Sequence, residues 1–274
     1  MEYEIKPISK LSINTKEIWS YKELFYFFTW RDVKVKYKQT ALGMAWAILQ
    51  PTIMMFVFTF LFENLIQGNL TGALPYAVYV YSGLMLWGIF SNGIQAAGNS
   101  MVTNANIIKK IYFPRLIIPL SAILVAVFDF IMTLIPFVLL LFYYQVEINV
   151  LRLFTLLPLS LFIIVLITIG TGCFLSALNV KYRDFRFVIP FLVQFSLYTS
   201  PIIYKVDTIT NKTIKFIVSV NPISVAIDLY RSAFDSTAVI DYSVVGIGIS
   251  ISISLLCVGI YYFRKTESYF ADLA

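Results

Sequence analysis

Six stretches of this chain are long, apolar and almost free of charge. A helix of roughly 20 apolar residues crosses the ~30 Å hydrocarbon layer of a bilayer. Ala41 to Phe62, Ala73 to about Gly98, and Leu153 to Leu178 contain no Asp, Glu, Lys or Arg. Leu116 to Tyr144 carries one acid, Asp129, and Ser243 to Phe263 carries none. Phe187 to Tyr204 is shorter, uncharged and punctuated by Pro190 and Pro201. The runs predict an all-α integral membrane protein with six transmembrane helices. Only 13% of the 274 residues are charged, about half the share in a soluble domain, so a water-soluble globule is excluded.

Orientation follows from the cations. Sixteen of the 21 Lys and Arg residues flank one side of the predicted spans, and Arg152, Lys205, Lys212, Lys215 and Arg231 flank the other. The positive-inside rule puts both termini in the cytoplasm. The net charge of +6 is therefore a topology signal rather than a nucleic-acid signal. No cleavable signal peptide is read, because the first long apolar run follows a charged stretch. The expected organisation is a cytoplasmic N-terminal segment over 1–40, a six-helix domain over 41–263, and a cytoplasmic tail over 264–274.

Several classes of chemistry are missing. The chain has no His, which removes the commonest general base and metal ligand. Cys173 and Cys257 lie in apolar runs and read as small buried hydrophobes. No P-loop pattern occurs, so ATP is not bound in that way. Asp129 is the one acid inside a span; such acids are functional by default, although a helix-to-helix bond accounts for it equally. With no catalytic or metal-binding cluster, the chain reads as a pathway driven by something else. A membrane enzyme or a filter-bearing ion channel fits poorly.

The segments around the spans carry the remaining signals. Asn14 to Trp30 reads as an amphipathic interfacial helix, with Asn14 and Glu17 placed as a capping box and Ile18, Tyr21, Phe25 and Phe28 forming one stripe. It is either an anchor or a moving element. Arg31, Lys34, Lys36 and Lys38 follow at once, as topogenic charge or as a collar for phosphate. Asn104 to Tyr112 is expected to make two helical turns, with Ile107, Ile108 and Ile111 on one side and Lys109 and Lys110 toward water; the stripe needs a partner surface or lipid. Between the last two spans, Lys212 to Val220 and Pro222 to Phe234 read as short re-entrant or interfacial helices broken at Asn221-Pro222. There Asp228 and Arg231 are spaced to pair. Phe187, Phe191, Phe195 and Tyr198 form an aromatic face with Gln194 beside it, and Trp46, Gln50, Phe56 and Phe60 repeat the theme. Rings beside amides suit sugars, and such stripes also pack helix on helix.

Three segments together resemble the membrane subunits of ABC-2 polysaccharide exporters, most nearly the O-antigen permeases. They are RDVKVKYKQTALGMAWAILQP from Arg31 to Pro51, NIIKKIYFPR from Asn106 to Arg115, and LNVKYRD from Leu178 to Asp184 with Pro190, Ser200-Pro201 and Asn221-Pro222 beyond. The resemblance implies a homodimer in the bacterial inner membrane, each chain paired with a cytoplasmic ATPase subunit that binds the ATP and Mg. This chain would have no cofactor, no metal, no nucleic-acid partner and no enzymatic activity of its own. The dimer would export a polyprenyl-pyrophosphate-linked polysaccharide within lipopolysaccharide biosynthesis. By likeness, Asn104, Asn106, Ile107, Ile108, Lys109, Lys110 and Tyr112 would couple to the ATPase. The helix with Ile18, Tyr21, Phe25 and Phe28 would be a gate, and Arg31 to Lys38 would meet the lipid pyrophosphate. Trp46, Gln50, Phe56, Phe60, Phe187, Phe191, Gln194, Phe195 and Tyr198 would line the channel, with periplasmic gate helices over 206–234. A teichoic-acid, capsular-polymer or small-molecule exporter is the alternative within the same superfamily.

Overall fold

A computed structural model describes residues 19–38, 40, 42–66, 74–235 and 237–267. The described residues are mostly helical, with no strand among them. In chain order the helices are α1 (Lys22–Lys38), α2 (Ala45–Ile66), α3 (Tyr76–Thr103), α4 (Ala105–Ile108), α5 (Ile117–Tyr143), α6 (Val150–Lys181), α7 (Phe185–Thr199), α8 (Lys212–Val220), α9 (Pro222–Ser232) and α10 (Tyr242–Thr266). Five of them, α2, α3, α5, α6 and α10, are long and apolar enough to cross a membrane.

The fifth predicted span is shorter than the sequence suggests. It forms α7, 15 residues long, which at 1.5 Å per residue reaches about 22 Å. It ends at Thr199 because proline at 201 removes a donor and pushes Ser200 into extended backbone, φ −106° and ψ 138°. A sixth crossing arises if α8 and α9 count as one broken span: they meet at 77° across Asn221. Asn211 caps α8 through the Thr213 and Ile214 amides, and Asn221 caps α9 through Ile223, so each short helix starts on its own side-chain acceptor.

α3 is the axis of the bundle, with α5 and α6 packed along it. It buries 21 of its 28 residues. α6 and α10 cross backbone to backbone: a Cβ placed on Gly259 would lie 2.0 Å from the Gly170 carbonyl oxygen, and one on Gly170 would lie 2.6 Å from the Leu256 amide nitrogen. Small residues permit such contact, which supplies the dispersion attraction that replaces the hydrophobic effect between helices in lipid.

Two apolar clusters result. The larger runs along α3 and takes in α5, α6, α7 and α9, with Tyr81, Phe137, Tyr230 and Phe234 at its centre. The smaller joins Phe28 of α1 to Met101, Ile108, Phe113, Leu116, Cys173 and Phe263. Phe28 and Phe113 lie 5.6 Å apart by ring centroid. α1 is thus seated on the segment after α3 as well as on α5.

Three further expectations are corrected. The interfacial helix does not stop at Trp30: it continues to Lys38, since nothing in Arg31 to Lys38 breaks a helix. The proposed cap at Asn14 and the stripe residue Ile18 lie outside the described residues. From Asn104 the short helix α4 is prolonged by turn hydrogen bonds as far as Ile111, but Ile108 is buried in the second cluster instead of sharing an exposed stripe. Cys257 is exposed on α10, whereas Cys173 is buried.

Candidate functional site

The aromatic face of α7 is turned outward. Phe187, Phe191, Phe195 and Tyr198 are each more than half exposed, and Gln194 beside them is exposed too. The opposite face, with Ile189 and Val193, packs on the larger cluster. Packing within this chain therefore does not account for the stripe. Phe56 and Phe60 of α2 are likewise exposed, and Trp46 and Gln50 stand at the other end of the same helix.

A cavity of about 270 Å³ opens between α1, α2, α3, α5 and α7. Trp46 and Gln50 line it, joined by Trp87 and Asn92 of α3 and by Asp129 of α5. The amides of Gln50 and Asn92 beside two indoles offer donors, acceptors and flat apolar faces, the combination a sugar ring uses. At its edge Lys36 pairs with Asp129, and the Tyr37 hydroxyl donates to the other oxygen of the same carboxylate. Burial first, then the Asp129 carboxylate, push the Tyr37 phenol above its ordinary pKa.

The basic collar divides into two sets. Arg31 is committed inside the chain: its guanidinium donates to Asp32 at 2.7 and 2.9 Å and to Asn104 Oδ1 at 2.8 Å, and lies 4.8 Å from the Phe28 ring centroid. Lys36 is held by Asp129. Lys34 and Lys38 are exposed, with Lys34 5.4 Å from the Trp30 ring centroid.

The segment after α3 presents Asn106, Lys109, Lys110, Ile111 and Tyr112 outward. Ile107 is half-buried; Asn104 and Ile108 are buried and fix it to the bundle. Asn104 also donates to the Ser100 carbonyl at 2.8 Å. Phe28 of α1 is buried, while Phe25 of α1 and Tyr21 just before it are half-buried against the smaller cluster.

Sequence reasoning missed Tyr37, Trp87 and Asn92, whose neighbours are set by the tertiary fold. It also treated Arg231 as an external cation. Arg231 is buried, with its guanidinium 3.4 Å from the Tyr79 ring centroid. It donates to the carbonyls of Tyr79 at 2.9 Å, Pro201 at 2.7 Å and Ile202 at 2.9 Å. The expected i,i+3 pair with Asp228 forms at 3.9 Å, with Asp228 half-exposed, and the shorter carbonyl contacts hold this cation more closely. Its advance signal is an Arg in a short, largely apolar helix, three residues after Asp228.

Residues 23–234 match the family described as ABC-2 type transporter. Two Klebsiella pneumoniae proteins named O-antigen export system permease protein RfbA are 29% and 28% identical to this chain, each over 251 residues, covering 92% of this chain and 95% of theirs. A Myxococcus xanthus protein of the same name is 24% identical over 260 residues, covering 94% of this chain and 97% of its own.

Proposed function

The chain belongs to the ABC-2 type transporter family, and from that premise we propose that it is the permease subunit of an exporter of polysaccharide linked to polyprenyl pyrophosphate. It is a homodimer in the inner membrane with both termini cytoplasmic, and two ATPase subunits supply the energy. The observation that carries the reading is the outward aromatic face of α7 with Gln194 beside it. In the dimer, this face and the matching one on α2 line a passage where sugar rings stack in succession. Weak stacking suits a moving polymer, because a tight site would stall it. The three relatives are named for O-antigen export, which supports a polysaccharide cargo.

Lys34 and Lys38 extend into the headgroup layer and meet the lipid pyrophosphate first. The ATPase docks on Asn106, Lys109, Lys110, Ile111 and Tyr112, and its movement reaches the bundle through buried Ile108 and Asn104.

The test is complementation of a host depleted of the protein. The wild-type chain restores surface glycan, while depletion leaves long lipid-linked polysaccharide on the cytoplasmic side. Phe191→Ala with Phe195→Ala slows export about tenfold, since ring contacts of ~0.5–1.5 kcal/mol each are lost, and leaves ATPase assembly intact. Wild-type export with both rings removed overturns the channel assignment. Unchanged glycan in the depleted host overturns the polysaccharide and favours a small-molecule cargo.

A further inference from the structure

Asp129 is the one charged residue between Leu116 and Tyr144, and its side chain is 8% exposed. A carboxylate so placed must be partnered. Both partners come from consecutive residues of α1: Lys36 donates to Oδ2 and Tyr37 to Oδ1. Because the two bonds use different oxygens, one can open while the other holds. The Lys36 side chain is 42% exposed, so an anion approaching from outside meets the ammonium before it meets the carboxylate. Lys36, Tyr37 and Asp129 all stand in the wall of the cavity that holds Trp46, Gln50 and Trp87. Lys36 also lines an adjoining cavity of about 290 Å³. The clip thus fastens the last turn of α1 across the space between α2, α3 and α5.

From this arrangement we propose that the Lys36–Asp129 pair is a latch released by a phosphate or pyrophosphate headgroup, which takes Lys36 from Asp129 and frees the end of α1 to open the cavity. The inference rests on the reading above, in which a lipid-linked anion arrives at α1. A phosphate group offers more charge and more acceptor oxygens than one carboxylate. Breaking a buried pair is costly when the abandoned charge is left bare, and here Tyr37 stays on Asp129 and limits that cost.

Cavity opening is read by the labelling rate of Ser91→Cys, a cavity-wall position, with a water-soluble maleimide. The background is Cys257→Ser; the remaining Cys173 is buried. The full chain is extracted with its bound subunits and reconstituted in phosphatidylcholine vesicles. Asp129→Asn and Lys36→Gln each accelerate labelling about fivefold or more. Farnesyl pyrophosphate accelerates it in the intact latch and adds nothing in Lys36→Gln, while farnesol does nothing. The exchanged pair Lys36→Asp with Asp129→Lys returns slow labelling, which a merely loosened fold would not do. Acceleration by inorganic pyrophosphate alone supports release by the phosphate group itself; a requirement for the farnesyl tail supports a lipid headgroup. Labelling indifferent to both single substitutions, or accelerated equally by farnesol, overturns the latch. Such a result in a chain that still restores surface glycan leaves the functional reading standing.

Discussion

α2 and α3 are adjacent in sequence, and both are long enough to span a bilayer, yet they live in opposite surroundings. α2 is the more apolar of the two, and among its described side chains Met55 is the one that is buried. α3 carries Gly83, Gly93, Gly98, Ser82, Ser91, Ser100 and Asn92 and is the most enclosed of the five long spans. In water this ordering would be perverse. In lipid it is expected, because tails are as apolar as Leu and give large side chains no reason to turn inward, whereas small residues let backbones close and hydroxyls bond across or along helices. Ser82, Ser91 and Ser100 are buried on α3, and Tyr81 donates to the Thr133 carbonyl of α5 at 3.2 Å. The lesson is that apolarity marks which segments enter the membrane, and small residues mark which of them form its protein interior.

The contrast has breaking points of graded size. The largest lies where two helices touch without side chains between them: Gly259→Ala sets a Cβ against the Gly170 backbone, where neither side has a flexible end to yield. The expected outcome is loss of monodisperse protein after mild detergent extraction, and normal yield would show that α6 and α10 can separate without harm. Next is Tyr81→Ala. This fully buried ring stacks on Phe137 at 6.2 Å, and its removal is expected to destabilise by about 3–5 kcal/mol, read as a lower thermal midpoint of the extracted protein. Smallest is Phe60→Ala on α2, a side chain 83% exposed. It should change stability by less than about 0.5 kcal/mol. A large fall in its midpoint would mean that α2 is covered by a second copy rather than by lipid or an open passage.

Much of the fold was legible because crossing length is a local property: an uncharged apolar run reads the same whatever it packs against. That is why α2, α3, α5, α6 and α10 fall where the runs do. α7 came out short because Pro201 ended it before the run's apolar residues were used up. The break at Asn221-Pro222 between α8 and α9 was local as well. What the sequence hid is relational. Nothing near Asp129 in the chain announces Lys36 and Tyr37, more than ninety residues earlier, and nothing near Arg31 announces Asn104. The exposed face of α7 was visible as periodicity, but its freedom from intrachain packing was not. Ile107, Ile108 and Ile111 looked alike by spacing, and only the seat made by Phe28 and Phe113 separates buried Ile108 from exposed Ile111.

Arg231 carries an implication for how the chain is made. Its carbonyl acceptors belong to Tyr79, Pro201 and Ile202, and every one of them precedes it in the order of synthesis. When the ribosome delivers this cation, the carbonyls that accept from it have already been synthesised. The guanidinium therefore needs no later helix to satisfy it, and α10 supplies none of these acceptors.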